Sequence, residues 1–207
     1  NFSYFKIEII KNTLLNICNT NFYCSIIEGS IKINNKIIED STARIKSNLC
    51  IEAAKNTIIF IFFQRRVLTL NIKKTQRPLY SIRNNFKKNI IFNKYWGNIK
   101  VLFKNTNGSA KVIFMDKNTQ SSMEYHIIKK ENYFINFGLL HLGVRFGRAK
   151  QKIIKLNKNS SFFMDIGIMH MRMAKLDTQI IEISTKDSDE DSNIVEDGNY
   201  YKFETII

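Results

Sequence analysis

Proline is nearly absent from the 207 residues, with one at Pro78, and there are only eight glycines, three cysteines, three histidines and one tryptophan. So little proline and glycine excludes a collagen-like or loop-only chain. Cys18, Cys24 and Cys50 are odd in number and cannot form a fully paired disulfide framework. A reducing, cytoplasmic setting is therefore expected, with the three thiols as small buried hydrophobes. No apolar run approaches the ~20 residues that a membrane helix needs; the closest, Thr57 to Phe63, is strand length and ends at Gln64-Arg65-Arg66. The chain begins at Asn1, with neither methionine nor a secretory leader, as a mature product or an incomplete sequence would.

Apolar and basic residues are abundant. A hydrophobic share of 44% excludes disorder as a description of the whole chain, and the length suits one full domain or two small ones. The net charge of +14 points first to nucleic acid or an anionic surface. The 34 isoleucines, 24 asparagines and 24 lysines supply a plainer source, the codon bias of an AT-rich genome. Residues 1–89 carry 15 basic against 5 acidic groups, and residues 90–207 carry 17 against 13. Much of the first excess lies in 64–89, where Arg65, Arg66, Lys73, Lys74, Arg77, Arg83, Lys87 and Lys88 meet no acid. That segment reads as an extended, solvated basic connector. With only Tyr80 and Phe86 to stack on bases, nucleic acid is not an expected partner.

Short β-branched and aromatic runs separated by Asn, Asp, Ser, Lys and Gly clusters predict an all-β barrel or sandwich. Candidate strands in the first half are 23–27, 30–33, 36–38, 43–45 and 57–63, with Asn34-Asn35 as a two-residue hairpin turn. The second half offers 99–103, 110–115, 121–126, 133–137, 140–145, 152–156, 161–164, 170–173 and 179–184. Over residues 1–17 a helix and strands are equally compatible with the pattern. The halves also repeat: Ile26-Ile27-Glu28-Gly29-Ser30-Ile31-Lys32-Ile33 parallels Ile135-Asn136-Phe137-Gly138-Leu139-Leu140-His141-Leu142. Asn48-Leu49-Cys50, followed by the run from Thr57, parallels Ile168-Met169-His170, followed by the run from Thr178. Two copies of one small barrel account for the length better than one large barrel.

The chemistry-bearing residues fall in the second copy as Glu124-x-His126-x4-Glu131-x6-Gly138 and, later, Gly167-x2-His170. Alternate side chains on a strand share a face, so Glu124 and His126 point together into the barrel, where Glu131 and His170 can join them. Two imidazoles and two carboxylates suit a divalent ion such as zinc, manganese, iron or nickel. Arg172, beside His170, is the favoured phosphate contact over Arg145, Arg148 and Lys150. His141 and Trp96 are expected to be structural, and the acid run from Asp187 to Asp191 a solvated loop.

These motifs resemble the cupin superfamily, whose first motif ends in His-x-His, a spaced Glu and a Gly, and whose second contains Gly-x-x-His. Glu124 stands where the first histidine is usual, and Asn118 and Asn159 replace expected motif glycines, while Asp165 stands where a proline is usual. Tyr95-Trp96-Gly97, Ser122-Met123-Glu124-Tyr125-His126, Glu131-Asn132-Tyr133 and the stretch from Gln179 to Asp197 are similar to the cupin-type mannose-6-phosphate isomerases, over about residues 92–200.

The resemblance implies an all-β fold of two cupin-type β-barrels, a bicupin with a degenerate first barrel: 1–63 the metal-less half, 64–89 the linker, 90–207 the metal-binding domain. It implies Glu124, His126, Glu131 and His170 as metal ligands, Glu131 and Arg172 as catalytic groups, and Glu182 as a weaker candidate for the proton-transfer base. In the first half, Phe22 falls at the glutamate position and Cys50 at the last histidine, so no second metal site is expected. The implied activity is a metal-dependent sugar-phosphate isomerase in nucleotide-sugar or polysaccharide precursor supply. The alternatives are a non-catalytic sugar-binding or assembly module, a nucleotide-sugar isomerase or epimerase, or a dioxygenase. Expected partners are a sugar phosphate or nucleotide sugar, and a homodimer is compatible with them.

Overall fold

The structure is a computed structural model that describes residues 2–33, 36–75 and 85–198. The expected turn at Asn34-Asn35 lies outside these residues, as do Arg77, Pro78, Tyr80 and Arg83 of the connector. The chain divides into two compact units, Asn1–Asn89 and Ile90–Ile207.

The first unit contains β1 (Ser3–Ile9), β2 (Leu14–Ile17), β3 (Phe22–Glu28), β4 (Ile31–Ile33), β5 (Lys36–Ile38), β6 (Ser41–Ile45), β7 (Leu49–Ala53), β8 (Thr57–Phe63), β9 (Ile72–Lys74) and β10 (Lys87–Lys88). They form two antiparallel sheets, ordered β1-β8-β3-β6-β10 and β5-β4-β7-β2-β9. Within the ambiguous first 17 residues the structure has the two strands β1 and β2, and β1 pairs with the apolar run of β8 over its whole length, Ser3 with Phe63 through Ile9 with Thr57. The 64–89 segment supplies β9 and β10, which pair with β2 and β6 at the sheet edges. Their exposed lysines give these edges the charge that discourages pairing with another chain.

The second unit contains β11 (Ile90–Lys94), β12 (Gly97–Asn105), β13 (Gly108–Met115), β14 (Thr119–Gln120), β15 (Met123–Tyr125), β16 (Glu131–Phe137), β17 (Leu139–Phe146), β18 (Lys152–Asn157), β19 (Ser161–Met164), β20 (Ile168–Ala174), β21 (Thr178–Ser184) and β22 (Asn193–Glu196), with a 3₁₀ turn at Asp189–Asp191. Its sheets run β11-β12-β13-β21-β16-β19 and β18-β17-β20-β15-β22, and β14 pairs with β20. From β13 and β18 inward the two units share one order: β1, β8, β3 and β6 match β13, β21, β16 and β19, and β5, β4, β7, β2 and β9 match β18, β17, β20, β15 and β22.

The repeat extends to atomic detail at the two glycines. Gly29 (φ +78°) and Gly138 (φ +94°) each follow a strand whose register shifts, at Ile26/Glu28 and Ile135/Phe137. Just beyond them, the backbone N–H of Ser30 and of Leu139 donates to Thr57 Oγ1 and Thr178 Oγ1, each at 3.1 Å. An added Cβ at Gly138 would stand 2.4 Å from the Asp177 carbonyl oxygen, and one at Gly29 2.2 Å from that of Asn56. Strain and overlap together predict that Gly29→Ala or Gly138→Ala costs about 2–5 kcal/mol, read as a fall in denaturation midpoint. The motif glycines replaced by Asn118 and Asn159 are also explained: both asparagines hold a positive φ, of 60° and 67°, which Asn tolerates better than other residues with a side chain.

Register defines which residues match between the barrels. Ile31 pairs with Ala53 as Leu140 pairs with Ala174, and Tyr23 pairs with Phe62 as Asn132 pairs with Ile183. Phe22 therefore occupies the position of Glu131. The counterpart of His170 is Leu49 and not Cys50, since Ile17 pairs with Leu49 as Glu124 pairs with His170. Ile17, Phe22, Leu49 and Ile61 thus stand where Glu124, Glu131, His170 and Glu182 stand in the second barrel. All four belong to the buried apolar core of the first unit. Cys24 is buried in the same core, which pushes its thiol pKa up to about 12, while Cys18 and Cys50 are half-buried.

Candidate metal centre

Three strands of the second barrel bring the predicted residues together. β15 and the residue after it present Glu124 and His126, β16 opens with Glu131, and β20 carries His170 and, one inward position along, Arg172. Glu124, His126 and His170 each offer a ligand atom within 4.8 Å of the others. Glu131 joins them from β16: Oε1 lies 3.5 Å from His126 Nε2 and Oε2 3.1 Å from His170 Nε2. The imidazoles, 5.4 Å apart between centroids, are almost fully buried.

Each imidazole is held by its other nitrogen. His126 Nδ1 lies 2.8 Å from the Asp191 carbonyl oxygen, and His170 Nδ1 lies 3.1 Å from that of Ile168. A carbonyl only accepts, so Nδ1–H is the donor and, in the neutral ring, Nε2 is left with a lone pair. Both Nε2 atoms are buried without a hydrogen-bond partner. Two orphaned imidazole nitrogens turned toward two carboxylates fit a divalent transition-metal ion, and the anchored Nδ1–H is the orienting contact such ligands use.

Charged groups surround this centre. Lys129 Nζ lies 2.6 Å from Glu131 Oε1, and the Tyr133 hydroxyl donates to Glu131 Oε2 at 3.1 Å. Burial opposes ionisation of Glu131, but His126, His170 and Lys129 around it together outweigh it and hold the carboxyl well below its ordinary value. Burial likewise disfavours the His126 imidazolium, and Glu131 more than compensates, raising its pKa. Arg172 Nη2 donates to Glu124 Oε1 at 2.7 Å and Nε to Ser121 Oγ at 3.3 Å, under the rings of Trp96 and Tyr133. Glu124 Oε2 accepts a short hydrogen bond from Ser192. Burial works to raise the Glu124 pKa, and Arg172, His170 and the Ser192 hydrogen bond together outweigh it, so that carboxyl also sits below its usual range. The Arg172 fork, expected at a phosphate, is largely spent on Glu124.

Above these groups opens a cavity of about 270 Å³, whose lining includes Trp96, Lys111, Glu131, Arg172, Glu182 and Asp187. Trp96 is buried in the core and also lines this space. His141 pairs with Met173 and Lys155, on the row that faces away from His170 and Arg172. Arg145 is half-buried against the Met169 sulfur, and Arg148 and Lys150 are exposed; none of these three lines the cavity.

The acid run is the expected solvated loop only at Asp189 and Glu190, which are exposed. Asp187 is buried against Lys111 at 2.8 Å and Lys129 at 3.5 Å. The Asp191 carboxylate accepts from the backbone N–H groups of Ile127, Ile128 and Lys129 at 2.8–3.1 Å. Lys111 went unnoticed, although its spacing held the signal: it shares a strand face with Ile113 and Met115, as Glu182 does with Ile180. A charge on the apolar face of a strand marks a polar interior. Lys129 and Asp191 lie outside regular alternation, so no periodicity reveals them.

No protein-family model matches the chain, and no curated protein matches it either. Solved structures do match. Bacillus subtilis oxalate decarboxylase, a bicupin with Mn(II) centres, superposes with a TM-score of 0.68 at 8% identity, over 94% of this chain and 71% of the other. The coconut allergen cocosin superposes with a TM-score of 0.63 at 11% identity, over 90% of this chain and 77% of its own. Among the described residues no helix is long and apolar enough to cross a membrane. The shared strand order of the two units and these superpositions give one fold: the chain is a bicupin, two cupin-type β-barrels of which the second holds the polar centre.

Proposed function

We propose that the second barrel binds a divalent metal ion through His126, His170, Glu131 and Glu124 and isomerises a sugar phosphate, in the manner of the mannose-6-phosphate isomerases its motifs resemble. The observation that carries this reading is the pair of buried, unpartnered Nε2 atoms facing Glu131 beneath an open polar cavity. Charge supports an anionic substrate. Five carboxylates (Glu124, Glu131, Glu182, Asp187, Asp189) and four cations (Lys94, Lys111, Lys129, Arg172) line the cavity, so a divalent ion turns one excess negative charge into one positive.

When bound, such an ion supplies the Lewis acidity that polarises a sugar carbonyl and its neighbouring hydroxyl; zinc, manganese, iron and nickel all suit the donor set. The chain's own groups do the rest. Lys111 and Lys129 offer ammonium charge to the oxyanion that develops when a proton leaves carbon. Arg172 fixes Glu124 and keeps Nη1 toward the cavity, where it can meet a substrate oxygen. Trp96 walls the space, and Tyr133, buried below it, holds Glu131.

Elemental analysis of the purified protein, with turnover of mannose 6-phosphate and fructose 6-phosphate, tests this. The expected result is about one metal per chain. His126→Ala and His170→Ala should each weaken metal binding at least as much as loss of an outer-shell contact, about 10–100-fold, and abolish turnover. A folded, metal-free protein inert to sugar phosphates would sink the isomerase and leave a sugar-binding or assembly module, since the same fold serves many functions.

A further inference from the structure

Five carboxylates line the cavity: Asp189 is exposed, and of the other four, three are fully engaged. Glu131 is held by Lys129, His126, His170 and Tyr133. Glu124 is held through one oxygen by Arg172 and through the other by Ser192. Asp187 is shared among Lys111, Lys129 and Lys104. The fourth, Glu182, differs. Its side chain is 3% exposed, yet Oε1 has no hydrogen-bond partner. The nearest ammonium groups, Lys129 Nζ and Lys111 Nζ, stand 3.7 and 3.8 Å away, and Arg172 Nη1 is 3.9 Å from Oε2. Leaving a buried carboxylate oxygen unbonded is costly, and unbonded oxygens at catalytic sites find their partner in the substrate.

The position is also specific to the second barrel. Glu182 shares the inward face of β21 with Ile180, and its counterpart in the first barrel, Ile61, is wholly apolar core. Nothing in the fold of that strand demands a charge, and three cations stabilise one only from beyond bonding distance. The carboxylate therefore faces three cations, but its Oε1 accepts from no donor, which leaves it open to receive a proton as a general base must.

We propose, resting on the isomerase reading, that Glu182 is the catalytic base that carries the proton between the two carbons. Oε1 takes the proton from C2 of the aldose, the C2–H electron pair forms the C1–C2 double bond, and the carbonyl π pair moves onto O1. The hydroxyl proton of O2 passes to O1. Glu182 then returns its proton to C1 while the O2 electrons close the new carbonyl at C2. Atoms and charge balance with no further reactant, and Glu131 remains with the metal ligands.

The test is deuterium wash-in from heavy water into fructose 6-phosphate, followed by proton NMR, on metal-loaded wild type and Glu182→Gln, with metal content and sugar-phosphate affinity measured on both. The variant should keep its metal and bind within about threefold of wild type. It should lose exchange and isomerisation by about 10²–10⁴-fold, the usual share of a general base. Exchange by Glu182→Gln within a few-fold of wild type would overturn the assignment while leaving the isomerase intact. A metal-loaded wild type that neither exchanges nor isomerises would overturn the isomerase and this base with it. If Glu182→Gln fails to fold, Glu182→Asp keeps the charge but withdraws the oxygens by one methylene. Exchange slowed at least tenfold with unchanged metal content supports the base, and exchange at the wild-type rate refutes it.

Discussion

Asp191→Ala should destabilise the second barrel by about 3–5 kcal/mol and weaken its metal binding by about 10–100-fold, although Asp191 is not among the proposed ligands. Its carboxylate terminates the backbone N–H groups of Ile127, Ile128 and Lys129, and its own carbonyl accepts from His126 Nδ1. One residue thus clasps both the imidazole and the loop that joins His126 to Lys129 and Glu131. Alanine keeps the carbonyl but strips three donors of their acceptor; a lost charged partner costs about 1.5–3 kcal/mol where the donor is buried, as at Lys129, and water replaces part of the loss at the exposed Ile127 and Ile128. Asp191→Asn retains one acceptor oxygen and should fall between. Chemical denaturation of the metal-free protein and a metal-competition titration measure the two effects separately.

The same contact predicts a pH dependence of known sign. Burial works to raise the Asp191 pKa, and the three backbone donors outweigh it, so the folded value lies below the ordinary one. A carboxyl depressed on folding contributes stability that is fully present above its unfolded pKa, about 3.9, and is lost as pH falls through the lower folded value. The stability gap between wild type and Asp191→Ala should therefore hold at neutral pH and close below about pH 4. A gap that persisted into stronger acid would mean that Asp191 acts through packing and not as an ionised acceptor.

Why Asp191 escaped the sequence reading is instructive, because residues on either side of it were legible. Strand alternation and the Glu124, His126, Glu131, His170 spacing are written in side-chain identity, and the structure places all four within one centre. Asp191 belongs to a run of acids whose composition is that of a solvated loop. Only the fold returns that run to residue 127, more than sixty positions earlier. The Cys50 assignment failed for a different reason. The two copies align with an offset of 109 at Gly29 and Gly138 but 121 at Thr57 and Thr178, and matching Cys50 to His170 uses 120. A slip of one residue on a strand moves a side chain to the opposite face. Leu49 is wholly buried in the core, whereas Cys50 is only partly covered.

That corrected register makes the sharpest prediction about the first barrel: Phe22→Glu, which restores the carboxylate found at the matching position of the second barrel, should unfold the first unit and create no metal site. Phe22 is 1% exposed and packs against Phe63, with ring centroids 5.7 Å apart, in a core that contains Ile17, Leu49 and Ile61. Losing the ring costs about 3–5 kcal/mol, and burying a carboxyl among these aliphatic groups, without a donor, adds several more. Together they approach the 5–15 kcal/mol that holds an ordinary domain together. Glu131 escapes this penalty through Lys129, Tyr133 and two imidazoles, whereas the first barrel has Leu49 at the position of His170 and Cys24 at that of Tyr133. The pH response should have the opposite sign to that of Asp191. An unpaired buried carboxyl has a raised folded pKa, so the folded state gains protons relative to the unfolded one and the damage should ease as pH falls through that raised value toward about 4.3. Circular dichroism and limited proteolysis of Phe22→Glu across that range would read it. A folded Phe22→Glu chain at neutral pH that bound a second equivalent of metal would show that the first barrel keeps a latent site, and that its apolar filling is not what separates the two halves.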